Sequence, residues 1–297
     1  MDYIRMIRER ETNMSSRSDT VFDARGKRFR SLPRPTRITS LVPSLTELLF
    51  DLGLDETEIV GRTKFCIRPT HRIDGISIVG GTKTAHVHKI LASAPSLVLA
   101  NIDENNEDTI ERIERNTIPV FVTHPNRVED SMRMIIDIGT LLRATDAARD
   151  LVAETHAAVA HFSRGICASV LYLIWRDPYM TVGPGTYIDD VLRLTGYRNV
   201  VDAHWCGGGK DDSPGACRYP SLEIHNIVEL QPESILLSSE PYPFQESHIR
   251  KLRDELGNID PEYAAKVRIR LVDGEMYSWY GSRLVHVFRE DVARKRG

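Results

Sequence analysis

The first thing the 297-residue chain lacks is a long apolar run. No stretch approaches the eighteen or so consecutive apolar residues of a membrane-spanning helix. Met1 to Thr20 contains no apolar run of the length a secretion signal uses, and beginning at Met6 or Met14 does not create one. Membrane insertion is therefore not expected, and the location expected is the cytoplasm, with a periplasmic one as the alternative if the start codon is mis-set. Cysteine is scarce too. Cys66, Cys167, Cys206 and Cys217 lack zinc-ribbon spacing, and a thiol-keeping cytoplasm suits them; Cys206 and Cys217 flank a glycine-rich loop, and oxidising conditions would allow them to pair. Charge of one sign is also lacking. A net charge of −3 with 41% hydrophobic and 27% charged residues gives no overall pull toward nucleic acid or a lipid surface. Dinucleotide and P-loop fingerprints are missing, as are a nucleophile elbow and a metal-hydrolase helix. Gly183-Pro184-Gly185 offers only a weak anion site.

What is present is an alternation of β-rich and helical patterns. Strand candidates are Arg37–Val42, Glu58–Gly61, Ile76–Val79, Leu97–Ala100 and Val120–Thr123, then Ala168–Ile174, Asn199–Val201, Ser234–Leu237 and Val267–Val272. Helical periodicity lies between them, for example at Ser44–Leu52, Asn106–Arg115, Tyr187–Leu194 and Gln245–Leu256. The fold class expected is α/β, with two Rossmann-like lobes whose sheets are mostly parallel. Between them, apolar residues recur every three or four positions from Val128 to Phe162. They predict either one long linking helix over 126–165 or two helices meeting at a second cap, Thr145-Asp146. The divisions expected are a disordered arm at 1–19, a first lobe at 20–125, the linking helix at 126–165 and a second lobe at 166–297. Residues 1–37 hold ten Lys and Arg against five Asp and Glu, so the arm is basic, a composition that suits a solvated tail. His204 to Cys217 is expected to be a mobile surface loop.

In parallel α/β sheets, ligands gather beyond the carboxyl ends of the strands. The stretches falling there are Pro43-Ser44, Thr63-Lys64-Phe65-Cys66, Gly80-Gly81-Thr82-Lys83 and Asn101 in the first lobe. The second supplies Trp175-Arg176-Asp177-Pro178-Tyr179, Ser239 to Phe244, and Glu275 to Tyr280. Fourteen of the 21 aromatic residues lie beyond position 170, many of them after strand ends, which suits a large, flat, partly apolar ligand. The competing reading is that they seal the second lobe's core. Cys66, with His71 nearby in sequence, is either a soft metal ligand or a buried, inert thiol. His86 and His88 are two apart and point away from each other if both are helical. His204, Cys206 and Cys217 lack an obvious fourth ligand.

The run Arg37-Ile38-Thr39-Ser40-Leu41-Val42-Pro43-Ser44-Leu45-Thr46-Glu47, then Gly80-Gly81-Thr82-Lys83, Ile90-Leu91, Pro95-Ser96-Leu97-Val98, Leu173-Ile174-Trp175-Arg176 and Ser238 to Phe244, resembles the helical-backbone metal-receptor family. These are substrate-binding proteins of ABC importers for cobalamin, haem and iron-siderophores, and the likeness is nearest to the cobalamin-binding branch. It spans nearly the whole chain from about residue 20. The resemblance implies no catalysis, limited hinge motion, no required cofactor, and a corrinoid or other metal chelate held between the lobes. On this reading Trp175, Tyr179, Phe244 and Trp279 stack on the ligand, and Arg176, Glu240 and Lys83 hydrogen-bond it. Ser44, Lys64, Tyr242 and Tyr280 complete the site, and Cys66 is a direct metal contact. Importer-docking members also present a surface glutamate on each lobe to a permease. Glu223 matches one, and His88 stands at the other. A monomer is expected. The alternatives are a cytosolic two-lobed transferase-like enzyme and a docking or sensing protein without a small ligand.

Overall fold

The computed structural model describes residues 19–34, 36–162, 168–202, 205 and 217–294. All of the expected arm but Asp19, nearly all of the glycine-rich loop at 204–217 and the last residues of the linking stretch, 163–165, lie outside them. The chain divides into two compact units. One takes the described residues up to His124 with Arg133–Val152, and the other takes Pro125–Met132 with those from Ala153 onward.

The first unit opens with a hairpin of β1 (Thr20–Phe22) and β2 (Arg28–Arg30), paired antiparallel. Asp23 closes its turn by accepting the backbone N–H groups of Arg25 and Lys27, each at 2.9 Å. The hairpin lies on the edge of β6 (Val120–Thr123), where Ala24 N donates to Val122 O at 2.8 Å. That pairing covers an edge that would otherwise be open to another chain. The main sheet has the order β4-β3-β5-β6, all parallel, with β3 at Ile38–Ser40, β4 at Ile59–Arg62 and β5 at Leu97–Asn101. Every residue of β3, β5 and β6 is buried, as expected of parallel strands covered on both faces. Helices α1 (Pro43–Asp51), α2 (Val87–Ala92) and α3 (Glu107–Arg115) supply the cover. Ile76–Val79 is not a strand; one bridge, between Ile78 and Arg62, is all that forms there.

The periodic stretch that follows forms two helices, α4 (Val128–Leu141) and α5 (Thr145–Phe162), so the two-helix reading holds and the single strut does not. The break has a local cause. Arg143 takes φ 55°, and its Nε donates to Leu32 O at 3.0 Å. At Gly139 an added Cβ would lie 2.3 Å from the Cβ of Ala148, so the two helices touch where the glycine leaves room.

In the second unit the sheet runs β10-β8-β7-β11-β12, with β9 also paired to β7. Its strands are β7 (Ala168–Trp175), β8 (Tyr179–Thr181), β9 (Tyr197–Asn199), β10 (Ser221–Leu222), β11 (Ser234–Ser238) and β12 (Arg268–Val272). The parallel members are β9, β7, β11 and β12, while β8 folds back antiparallel on β7 and β10 pairs antiparallel with β8. Helices α6 (Tyr187–Leu194), α7 (Ile224–Leu230), α8 (Glu246–Gly257), α9 (Pro261–Lys266), α10 (Gly274–Ser278) and α11 (Leu284–Arg294) complete the unit. The core joins Leu171, Leu173, Ile235 and Leu237 of the sheet to Leu252 and Leu256 of α8. Trp205, placed in the mobile loop by the sequence reading, packs against this core. Among the described residues no helix is long and apolar enough to cross a membrane.

Candidate functional site

In the first unit, the strand carboxyl ends present a small apolar surface. Phe65, just after β4, is 50% exposed, and Ile102, just after β5, is 44% exposed. Lys64 is exposed, and its Nζ sits 4.9 Å from the Phe65 ring centroid, a cation over an aromatic face. Gly81 makes this approach possible: a Cβ there would lie 3.3 Å from the Phe65 ring and 2.8 Å from Thr84 Oγ1. Lys83 is exposed, and its Nζ donates to Asp103 O at 2.7 Å, which ties the glycine turn to the end of β5. Ser44 is buried in the first turn of α1, and its hydroxyl finds no partner among the described residues. The 63–73 loop is clamped from inside by Arg62, which donates to Ile73 O at 3.0 Å and to Cys66 O at 3.1 Å.

Cys66 is corrected from metal contact to core thiol. It is fully buried, with Thr46 Oγ1 at 3.0 Å and Thr63 Oγ1 at 3.1 Å from its sulfur. Burial pushes the thiol pKa up, and the thiolate is the form that binds metal. His71 stays exposed. Among the described residues no group of three or more His, Cys, Asp or Glu could hold a metal ion. His86 and His88 do not point apart, because His86 is the extended residue before α2 and not part of it; their ring centroids are 5.7 Å apart.

In the second unit the aromatic residues divide sharply. Trp175, the last residue of β7, is 41% exposed. Tyr179, Phe244, Trp279 and Tyr280 are all buried, so their sealing role prevails over the stacking role expected of the first three. Tyr179 sits in β8, folded back over the sheet, and its hydroxyl donates to Glu255 Oε2 at 2.7 Å. Burial pushes the Tyr179 phenol up to about 12. Phe244 belongs to the core, and Tyr280 meets Tyr187 edge-on at 5.8 Å. Tyr242, partly buried, meets Trp175 edge-on at 5.6 Å.

The polar candidates of this unit are turned toward the protein. Arg176 Nη2 donates to Glu255 Oε1 at 3.2 Å, with Asp177 Oδ2 at 3.5 Å from Nη1. Its hydrogen bond with Tyr179 and these carboxylates hold the guanidinium firmly charged. Glu240 is partly buried; its Oε1 accepts Trp279 Nε1–H at 2.9 Å and the Ser278 hydroxyl. Burial raises the Glu240 pKa above the ordinary carboxylate value, against the lowering effect of those two donors. Glu240 is thus a brace between the β11 and β12 loops. Gly274 allows the brace, since a Cβ there would lie 2.5 Å from Glu240 Cγ. Glu223 caps α7, and its side chain is 81% exposed. His88 is exposed on α2.

Two α/β units that each carry exposed apolar groups beyond their strand ends have the makings of a ligand receptor. Comparison with known proteins makes this specific. A family described as periplasmic binding protein matches residues 38–255, and the chain belongs to that family. The vitamin B12-binding protein of Vibrio parahaemolyticus is 23% identical over 207 residues, covering 68% of this chain and 70% of the relative. That of Pectobacterium carotovorum is 22% identical over 214 residues, covering 70% and 72%. Among solved structures, the periplasmic heme-binding protein RhuT from Roseiflexus has a TM-score of 0.71 at 20% identity, covering 87% of this chain and 97% of its own. The vitamin B12-binding protein BtuF of Vibrio cholerae has a TM-score of 0.68 at 17% identity, covering 88% and 96%. These two structures share the fold.

The family is one of substrate-binding receptors and not of enzymes, which removes the transferase-like reading. It also overturns the cytoplasmic expectation, because its members are periplasmic binding proteins of ABC importers. Cys217 is disulfide-bonded, as suits an oxidising compartment; of the two readings open in the sequence, a thiol-keeping cytoplasm and oxidation at Cys217, the second holds.

Proposed function

We propose that this receptor takes a large, flat metal chelate of the corrinoid or haem type, and that Trp175 is an apolar contact for it, with Phe65 and Ile102 the matching exposed groups of the first unit. The observation that carries the reading is their exposure at strand carboxyl ends, in a protein whose other aromatic residues near those ends are mostly inside. A flat macrocycle gains from edge and face contact with such groups, and Lys64 is placed beside Phe65 to meet a carboxylate or amide on its rim. Vitamin B12-binding relatives and heme-binding neighbours support this class of ligand without choosing within it. The test is titration with cyanocobalamin, haemin and a ferric siderophore in parallel. One of the first two is expected to quench tryptophan emission and shift its own visible bands at micromolar concentration. Failure of both, with the protein folded, refutes the reading and favours a docking or sensing role.

The partner we propose is an ABC permease, met by Glu223 on one unit and by the position of His88 on the other. His88 carries no permanent negative charge. His88→Glu is expected to tighten a complex with the permease of the same host, measured by pull-down in detergent or nanodiscs. An unchanged complex argues against contact at that position.

A further inference from the structure

The exposed Trp175 is not held by the core. Its ring meets only one aromatic partner among the described residues, the edge-on Tyr242. Tyr242 is itself clasped by Phe244 at 4.8 Å and by His248 at 5.4 Å, both edge-on. Phe244 is a fixed wall, buried in the core. His248, in the first turn of α8, is the adjustable member. Its Nδ1 accepts the backbone N–H of Gln245 at 2.9 Å, so the ring proton belongs on Nε2. Nε2 lies 3.2 Å from Tyr242 Oη and donates to it. The imidazole therefore serves two bonds at once, and only in its neutral form. A second proton on Nδ1 would face the Gln245 N–H and would put a positive charge at the start of a helix, where the macrodipole opposes it.

We propose that His248 is a positioning residue for Trp175: as a neutral imidazole it fixes the Tyr242 ring on which the tryptophan is braced, and acid releases that brace. This rests on the proposed role of Trp175 as a ligand contact. The charged groups acting on the imidazole are Arg176 and Asp177 from the turn after β7, and Lys251 from its own helix. Partial burial, then the two cations, lower the His248 pKa, with Asp177 acting against them. The sign follows. A depressed histidine pKa means the bonded, neutral state dominates at neutral pH and is lost as pH falls through a midpoint below the ordinary 6.5.

The experiment reads Trp175 itself, as the difference in emission between the full chain and its Trp175→Phe variant, from about pH 8 to about pH 5. That component is expected to titrate with a midpoint below the ordinary imidazole value. His248→Gln keeps a donor for Tyr242 and cannot titrate, so its emission should stay at the neutral-pH state throughout. His248→Asn keeps an acceptor for Gln245 N–H but is too short for Tyr242, so it should resemble the acid state at every pH. If one variant does not fold, the other decides. Whichever of cyanocobalamin and haemin binds should do so about three- to tenfold more weakly at the acid end, the scale of one aromatic pair, and His248→Gln should abolish the difference. A flat wild-type titration, a titration that survives in the variants, or equal affinity at both ends overturns the proposal. If neither chelate binds while the Trp175 component titrates as described, the ligand reading fails and the His248–Tyr242–Trp175 linkage stands.

Discussion

Removing either of two tryptophans, Trp175 or Trp279, should separate binding from folding. Trp279 is 4% exposed, donates Nε1–H to Glu240 at 2.9 Å and has the Arg283 guanidinium 5.1 Å from its ring. Trp279→Ala empties a core site, worth ~3–5 kcal/mol, and takes a hydrogen-bond donor from a partly buried carboxylate, worth ~1–3 kcal/mol more if the site cannot collapse. Trp175 is 41% exposed and rests on one aromatic edge, so Trp175→Ala should cost stability only ~0.5–1.5 kcal/mol. The order reverses in binding. Trp175→Ala should weaken the chelate that the wild-type protein takes by ~1–3 kcal/mol, the range of an aromatic anchor. Urea unfolding at neutral pH gives the first comparison and spectroscopic titration of the folded proteins gives the second. Phe22→Ala, at a 58%-exposed position on the β1–β2 hairpin, is the control and should change neither. Trp205 cannot serve as one, because it packs on the second unit's core. The reasoning fails if Trp175→Ala unfolds as easily as Trp279→Ala, or if it leaves the ligand affinity intact.

Other perturbations bear on particular points. Cys66→Ala should leave chelate affinity within about twofold while costing ~1–2 kcal/mol of stability, because the thiol is sealed in the core; a tenfold loss of affinity would restore it as a metal contact. Asp137, on α4, has its carboxyl raised from 3.8 to about 6 by burial, with Arg133 acting the other way. Its native form therefore holds a proton more tightly than the unfolded chain does, and stability should fall as pH rises between those values. Asp137→Asn should recover ~1–3 kcal/mol at neutral pH and flatten that window in urea titrations at several pH values; an equal or larger slope in the variant would contradict the sign. Gly139→Ala should destabilise by ~1–3 kcal/mol, because the new methyl meets Ala148 at 2.3 Å. A neutral result, by thermal or urea unfolding, would mean that the helices around the break are not in contact there.

What the sequence made legible was what depends on many residues at once. The parallel strands stand out as continuous apolar runs, and β6 falls at Val120–Thr123 as expected. Helix α6 falls at Tyr187–Leu194, the bounds its periodicity predicts. What it hid turns on single residues. The apolar stripe continues from Leu142 to Ala148, so periodicity alone cannot choose between one helix and two; the cap at Thr145-Asp146 offers the break, and the left-handed backbone at Arg143 that makes it carries no signal of its own. In sequence Tyr179 counts as a loop aromatic because it falls beyond the carboxyl end of a strand. The chain instead reverses at Asp177, with φ 63°, and sends Tyr179 back along β7 as a strand. Position beyond a strand end says where a residue starts but not which way its side chain turns. That one distinction decides whether an aromatic is wall or filling, and it buried four of the six aromatics assigned there. The same distinction hid Phe65, in a stretch read for its lysine and cysteine, and Ile102, which follows the Asn101 that was singled out. Their only signal was an apolar side chain placed within three residues of a strand's end. A site built for an apolar ligand is therefore least visible in sequence, because its contacts are the residue types that also make the core, and exposure alone separates them.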